Sequence, residues 1–217
     1  LMGLWLPEAH GEAEGAISAL LSGVIVKVGL AQLLRMASLS GTVAVVISVL
    51  AVFAALYGVI YALLEVDLKK ILAYSSLSQI GFILAVPQVG HLYALAHGLF
   101  KSWLFLSASS LGKRDMRVLQ REGVQIGKWV PLALGALALS GFPGLGGLGL
   151  KSIFFNGLKE WQMPFMYIAA AGSCIYTARL IFLPIRPLGR FRDSLNVRNI
   201  FYLGSIVTLE YDLGVFN

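Results

Sequence analysis

Residues 42–64, TVAVVISVLAVFAALYGVIYALL, run for twenty-three positions without a charge. About 20 apolar residues in α-helical form cross the hydrocarbon of a bilayer. Lipid offers no hydrogen bonds, so a backbone inside it must satisfy its own polar groups as a helix or a closed barrel. This stretch therefore predicts a helix embedded in membrane and limits what the rest of the chain can be. The composition agrees. Of the 217 residues 58% are hydrophobic and only 13% charged, against roughly 25% charged in soluble domains, and the mean hydropathy is +0.80. The fold class expected is all-α, a polytopic membrane protein.

Six apolar spans are read along the chain, at about 16–34, 42–64, 68–86, 92–111, 129–155 and 163–183. Together they make a transmembrane helical domain over 16–183, preceded by an N-terminal segment (1–15) and followed by a basic C-terminal segment (184–217). The third span is short from Ile71 onward and rich in hydroxyls. It is expected either to extend back over Asp67–Lys70 or to sit buried among other helices. The fifth is broken at 141–147 by the run GFPGLGG. The last stretch, NIFYLGSIVTLEYDLGVFN, is too short and interrupted to be assigned as a span. The start, LMGLWLPEAHGEAEG, is acidic and has no basic n-region, so no secretory signal is expected. Its first residue is Leu1, which points to a fragment or an unusual start codon.

Basic residues orient this map. With six spans, Lys69, Lys70, Lys113, Arg114, Arg117, Arg121, Lys128, Arg186, Arg190, Arg192 and Arg198 fall on one side, and only Arg35 and Lys159 on the other. By the positive-inside rule both ends lie on the cytoplasmic side. A net charge of +6 is thus accounted for by membrane orientation, and nucleic acid is not expected as a partner. Arg179 lies near the end of its span, where it can snorkel to the interface.

Three basic residues have no such outlet. Lys27, Lys101 and Lys151 each sit within a span, and a lysine at mid-membrane costs roughly 2.5–3.5 kcal/mol on insertion scales. They are expected to face protein or water. The chain has eleven acidic residues and none lies in the middle of a span, so no internal salt bridge is indicated. An ammonium removed from water without a counter-charge is driven toward the neutral amine, and a lysine that exchanges its proton suits a relay. His97 lies four residues before Lys101, on the same helix face, and histidine titrates readily near neutral pH. The bland alternative is that each lysine caps a carbonyl at a helix irregularity. The break at 141–147 suits a helix opened so that bare carbonyls line a hydrated cavity beside Lys151. Ser75, Ser76, Ser78 and Gln79 give the third span a polar face for a water wire, unless their hydroxyls bond back to their own helix.

Other chemistries leave no mark. No Walker motif, dinucleotide fingerprint, metal-ligand cluster or nucleophile elbow is present, and GLGGLG follows no predicted strand. Cys174 is the single cysteine, which excludes a disulfide framework. No metal and no cofactor are expected in this chain.

The motifs LPEAH with SALLSGVIVKVG, DLKKILAYSSLSQIGF, HGLFKSWLFL and GFPGLGGLGLKS, in that order, resemble the antiporter-like proton-pumping subunits of respiratory complex I. The same family includes Mrp-type cation/proton antiporters and the membrane subunits of energy-converting hydrogenases. The match runs from about Leu4 to Leu183. The resemblance implies one repeat of a two-repeat antiporter-like fold, with Lys27 linking two half-channels, His97 and Lys101 as the central relay of the second, and Lys151 as its terminal residue. Glu14 departs from the family's LP-x-AH-x-EAP pattern. The helices that carry the first half-channel's glutamate and lysine have no counterpart in this sequence. A half-subunit is therefore expected, with other membrane subunits of a larger complex as partners and a further chain supplying the N-terminal half. Its function would be proton translocation in an NADH- or ferredoxin-quinone oxidoreductase-type complex, in a bacterial plasma membrane or thylakoid-type membrane. The alternatives are part of an Mrp-type sodium/proton antiporter and a non-conducting scaffold fragment.

Overall fold

The computed structural model describes residues 2–142 and 147–186. They form ten α-helices in chain order: α1 (Met2–Glu12), α2 (Gly15–Leu20), α3 (Val26–Leu39), α4 (Gly41–Leu64), α5 (Leu68–Ala85), α6 (Pro87–Ser109), α7 (Met116–Glu122), α8 (Ile126–Ser140), α9 (Gly147–Asn156) and α10 (Met163–Ile181). A π-helical turn, Leu21–Ile25, joins α2 to α3 into one continuous element. Among the described residues, two helices are long and apolar enough to cross a membrane on their own, Gly15–Leu39 and Gly41–Leu64.

The helix boundaries follow local chemistry. Asp67 caps α5, its carboxylate accepting from the backbone N–H groups of Lys69 (2.8 Å) and Lys70 (3.2 Å), which occupies two donors that the first turn leaves free. Helix α5 thus begins at Leu68, and most of its residues are buried. Asp115 caps α7 in the same way through the Arg117 N–H at 2.7 Å. The two caps lie side by side, with Leu68 N–H donating to Arg114 O and Met116 N–H to Val66 O. Pro87 opens α6, where its missing N–H costs nothing. The fourth helix therefore starts five residues earlier than the apolar run from Leu92 suggested. Gly141, at φ +90°, ends α8 in the left-handed region, a conformation open to glycine at little cost.

Helix α5 is the centre of the bundle, with α1, α3, α4, α6 and α10 packed against it. Its approach to α4 depends on two glycines. A β-carbon on Gly58 would lie 2.3 Å from the Ser78 nitrogen, and one on Gly81 would lie 2.4 Å from the Ala51 oxygen. Small residues that bring backbones together are how helices associate where no hydrophobic drive separates protein from solvent. Arg179, on α10, does not simply reach for the interface. Its guanidinium donates to the carbonyls of Ala62 (3.2 Å), Leu63 (2.8 Å) and Glu65 (3.0 Å) and so caps the C-terminus of α4 from a neighbouring helix.

Two features were not assigned from the sequence. The N-terminal segment is a helix, α1, docked on α5. A two-residue parallel pairing, β1 (Val124–Gln125) with β2 (Ile185–Arg186), ties the start of α8 to the chain after α10. Residues 143–146 of the expected break, and residues 187–217 with Arg190, Arg192 and Arg198, lie outside the described residues.

Candidate functional site

Lys27, Lys101 and Lys151 are all held by main-chain carbonyls at places where a helix departs from regular bonding or meets a neighbour. Lys27 Nζ donates to Ser22 O within the π-turn. A π-turn shifts the bonding ladder by one residue and is a recurrent feature of functional sites. Lys101, fully buried on α6, donates to Leu72 O at 2.9 Å and to Ser75 Oγ. Lys151 Nζ donates to Ser140 O at 2.6 Å and to Ser173 Oγ at 3.3 Å. Ser140 is the last residue of α8, so its carbonyl is one the helix end leaves open. Among the described residues none of the three has a carboxylate partner; the ion pairs there join Lys70 to Glu8, and Lys113 and Arg186 to Glu122.

Hydroxyls link the first two lysines. Ser22 Oγ and Ser76 Oγ are 3.0 Å apart, bridging the π-turn to α5. Ser76 Oγ donates to Leu72 O at 3.0 Å and Ser75 Oγ to the same oxygen at 2.9 Å. The Leu72 carbonyl thus gathers Ser75, Ser76 and Lys101. Back-bonding of this kind was the bland alternative for these serines, and here it coexists with contacts between helices.

A second polar group lies around His97. A cavity of about 10 Å³, room for one water at most, is lined by Gln79, Tyr93, His97, Phe100, Ala138, Leu139 and Lys151. Tyr93 Oη donates to Gln79 Oε1 at 2.7 Å, and Gln79 Nε2 donates to Tyr176 Oη at 3.4 Å. Both His97 nitrogens and Ser78 Oγ are buried without a hydrogen-bond partner among the described residues. His97 and Lys101 share α6 but face different groups, the histidine toward Lys151 and the lysine toward Ser75 and Leu72. The structure therefore brings His97, Gln79 and Lys151 to one cavity, and links Lys27 with Lys101 through Ser22 and Ser76.

Sequence reasoning singled out neither Ser22 nor His10 as a site residue. Ser22 lies five residues before Lys27, one π-turn away, and only the irregular turn brings its carbonyl to the ammonium. The His10 ring stacks on Phe105 with centroids 4.3 Å apart and an interplanar angle of 10°, and both its nitrogens lack partners among the described residues. Burial, reinforced by the charges of Lys101, Lys27 and Lys69, pushes the imidazole down to about 4, so it is neutral at physiological pH. Tyr93, four residues before His97, was legible as a neighbour on the same face.

Comparison with known proteins identifies the family. The profile of a family described as "NADH:quinone oxidoreductase/Mrp antiporter, TM" matches residues 1–176. Formate hydrogenlyase subunit 3 of Escherichia coli (strain K12) is 32% identical over 209 residues, covering 82% of this chain and 32% of that protein. NADH-ubiquinone oxidoreductase chain 5 of Dictyostelium citrinum is 30% identical over 203 residues, covering 83% and 30%. NAD(P)H-quinone oxidoreductase chain 4-2 of a Synechocystis species is 29% identical over 221 residues, covering 90% and 38%. The chain thus spans about a third of the length of these curated relatives. A chain of the membrane-bound sulfane sulfur reductase (MBS), an archaeal respiratory membrane complex, shares the fold with a TM-score of 0.81 at 19% identity, over 98% of this chain and 49% of that one. The ordered motifs, the helical bundle and the matched profile agree: the chain is an integral membrane protein and belongs to the NADH:quinone oxidoreductase/Mrp antiporter transmembrane family.

Proposed function

We propose that this chain is a proton-translocating, antiporter-like membrane subunit, or half of one, in an NADH/ferredoxin-quinone oxidoreductase-type complex. One observation carries the reading. Three lysines, Lys101 and Lys151 buried and Lys27 half-buried, have no carboxylate partner among the described residues and are strung with His97 across the bundle, from the π-turn to the end of α8. Protons would pass between Lys27 and Lys101 by way of Ser22, Ser75 and Ser76, and on through His97 to Lys151 beside Gln79. Relatives named as quinone oxidoreductase chains and hydrogenase components support the setting. Electrons and their cofactors would belong to other subunits.

Six membrane spans suit this role: α2 with α3, α4, α5, α6, α8 with α9, and α10. By the positive-inside rule the 112–128 loop and the chain after Leu183 would lie on the cytoplasmic side, in a plasma or thylakoid-type membrane. Lys27 is only half-buried, and it shares a face with exposed Leu20 and Val24. A relay lysine left beside lipid is costly, so further helices, a second repeat bearing an intramembrane glutamate and lysine, would cover this face.

The rival reading, a non-conducting scaffold whose lysines only cap carbonyls, draws on the same hydrogen bonds. Lys101→Arg separates the two, because a guanidinium keeps charge and donors but does not release its proton. The test is proton uptake by vesicles carrying the assembled complex, purified through a tag on this chain. Lys101→Ala and Lys101→Arg should both lower transport by about a hundredfold while the complex remains assembled. Wild-type transport by Lys101→Arg would establish the scaffold role. Proton transport that requires sodium would assign the chain to an Mrp-type antiporter instead.

A further inference from the structure

The two basic residues that violate the charge asymmetry meet in space. Arg35, at the end of α3, and Lys159, between α9 and α10, both line an open cavity of about 290 Å³ together with His91 and Gln88 of α6. Among the described residues neither the guanidinium nor the ammonium has a hydrogen-bond or ion-pair partner, and no carboxylate lines the cavity. The N-terminus of α6, a helix of 23 residues, opens onto it without a side-chain cap. Pro87 has no N–H and the Val89 N–H already donates to Val86 O at 3.2 Å, so the helix contributes the positive end of its dipole to the field there.

A second basic cavity, at the opposite ends of the helices, is the internal control. It measures about 140 Å³ and is lined by Lys113, Lys128 and Arg186, but also by Glu122. That carboxylate pairs with Lys113 and lies 3.7 Å from Arg186. One basic cavity carries its own counter-charge and the other does not.

The unneutralised cavity also has a greasy wall, from Leu34 of α3 and Ala44 of α4. It lies where α3 ends, α4 and α6 begin and α9 has just ended, which in the six-span arrangement proposed above is the level of the lipid headgroups. Its size is near the lower end of ordinary ligand sites. We propose that this cavity binds the phosphate group of an anionic phospholipid, with Arg35 and Lys159 holding the phosphate near the positive end of α6. His91 donates to a phosphate oxygen, and the apolar wall receives the glycerol and the first acyl carbons. A free phosphate ion shares the charge but leaves the apolar wall without an occupant, so a lipid is the ligand chosen.

The experiment is a titration of the complex, purified through a tag on this chain and stripped of lipid in detergent. Phosphatidylglycerol, phosphatidylcholine and inorganic phosphate are added separately, and the thermal midpoint is read. Phosphatidylglycerol should raise the midpoint of the wild type, and the other two should leave it unmoved. In the double variant Arg35→Gln, Lys159→Gln the half-saturating concentration should rise about tenfold or more, and the charge-preserving pair Arg35→Lys, Lys159→Arg should bind within a few-fold of wild type. If the double variant does not purify as the wild type does, Lys159→Gln alone is read in its place. Equal responses of wild type and variant, or equal responses to the two lipids, would overturn the site. A response to inorganic phosphate matching that to phosphatidylglycerol would overturn the lipid and leave an anion site. None of these results depends on the Lys101 transport assay, so the two readings stand or fall separately.

Discussion

Helices α4 and α5 lie against each other and obey opposite rules. Helix α4 is the most apolar element of the chain, without a charge in 24 residues, yet only eight of them are buried. Val45, Val46, Leu50 and Phe53 point outward, while Ala51, Ala55, Gly58 and Ala62 face the bundle. Helix α5 carries Ser75, Ser76, Ser78 and Gln79, and sixteen of its eighteen residues are buried. The greasier helix is outside and the more polar one inside. In water the hydrophobic effect would sort them the other way. In a membrane the lipid is as apolar as leucine, so small residues and hydrogen bonds set the packing and apolar character marks contact with lipid.

Substitutions at this contact should have the largest effect. Gly81→Leu drives a side chain into the α4 backbone at Ala51 and Ala55, where no side chain can move aside, and should cost about 3 kcal/mol or more. Size-exclusion chromatography of the detergent-extracted protein should show aggregate in place of the wild-type peak. A wild-type profile would mean that the two helices can separate without loss, and that the contrast between them is not set by backbone approach.

Next comes the cap that binds α10 to α4. Arg179→Gln leaves the carbonyls of Ala62, Leu63 and Glu65 short of donors, at about 1–3 kcal/mol, read as a thermal midpoint several degrees lower. Arg179→Lys should recover only part of it, since a single ammonium cannot match the planar fork. Full recovery by lysine would show that charge alone matters at the end of α4.

On the lipid face the same chemistry should be tolerated. Phe53, the most exposed of the four outward residues, should accept leucine within about 0.5 kcal/mol, and a loss comparable to that of Gly81→Leu would place α4 inside an assembly. The smallest effect belongs to the water-facing cluster. The hydrogen bond from Lys113, then its charge and that of Arg186, hold the Glu122 carboxyl below its usual value. Its contribution is therefore complete above the unfolded carboxylate range and fades as pH falls through the lower folded value. Because Glu122 and its partners Lys113 and Arg186 are all about half-exposed, Glu122→Gln should leave the midpoint at neutral pH unmoved in high salt. A salt-resistant loss would show the cluster to be shielded from water.

How much was legible tracks the same contrast. Helix α4 could be read from residues 42–64 alone, because lipid contact writes itself as uninterrupted apolar sequence. Helix α5 was legible as a short, hydroxyl-rich span at 68–86 but not as the centre of the bundle, because its hydroxyls look like a surface until the neighbouring helices are in place. The lysines stood out for lack of any outlet, and the ordered motifs gave the family. The carbonyls that hold the lysines were invisible, since Ser22 O, Leu72 O and Ser140 O are main-chain atoms whose availability depends on where each helix deviates or meets a neighbour. Arg179 carried no sequence signal of its destination, a helix end more than a hundred positions away. Helix α1 was missed because LPEAHGE is short and mixed, and its support comes from α5 rather than from its own pattern.

Gly141 has one more consequence. A β-carbon there would sit 2.8 Å from Cδ of Lys151 and 3.5 Å from its Nζ, so the lysine's stem occupies the space a side chain at 141 would need. Two independent constraints meet at one position, the handedness of the backbone and the corridor of another residue. Replacing the lysine would leave the need for glycine at the turn untouched, whereas a side chain at 141 would both strain the backbone and push the lysine's stem off its present path.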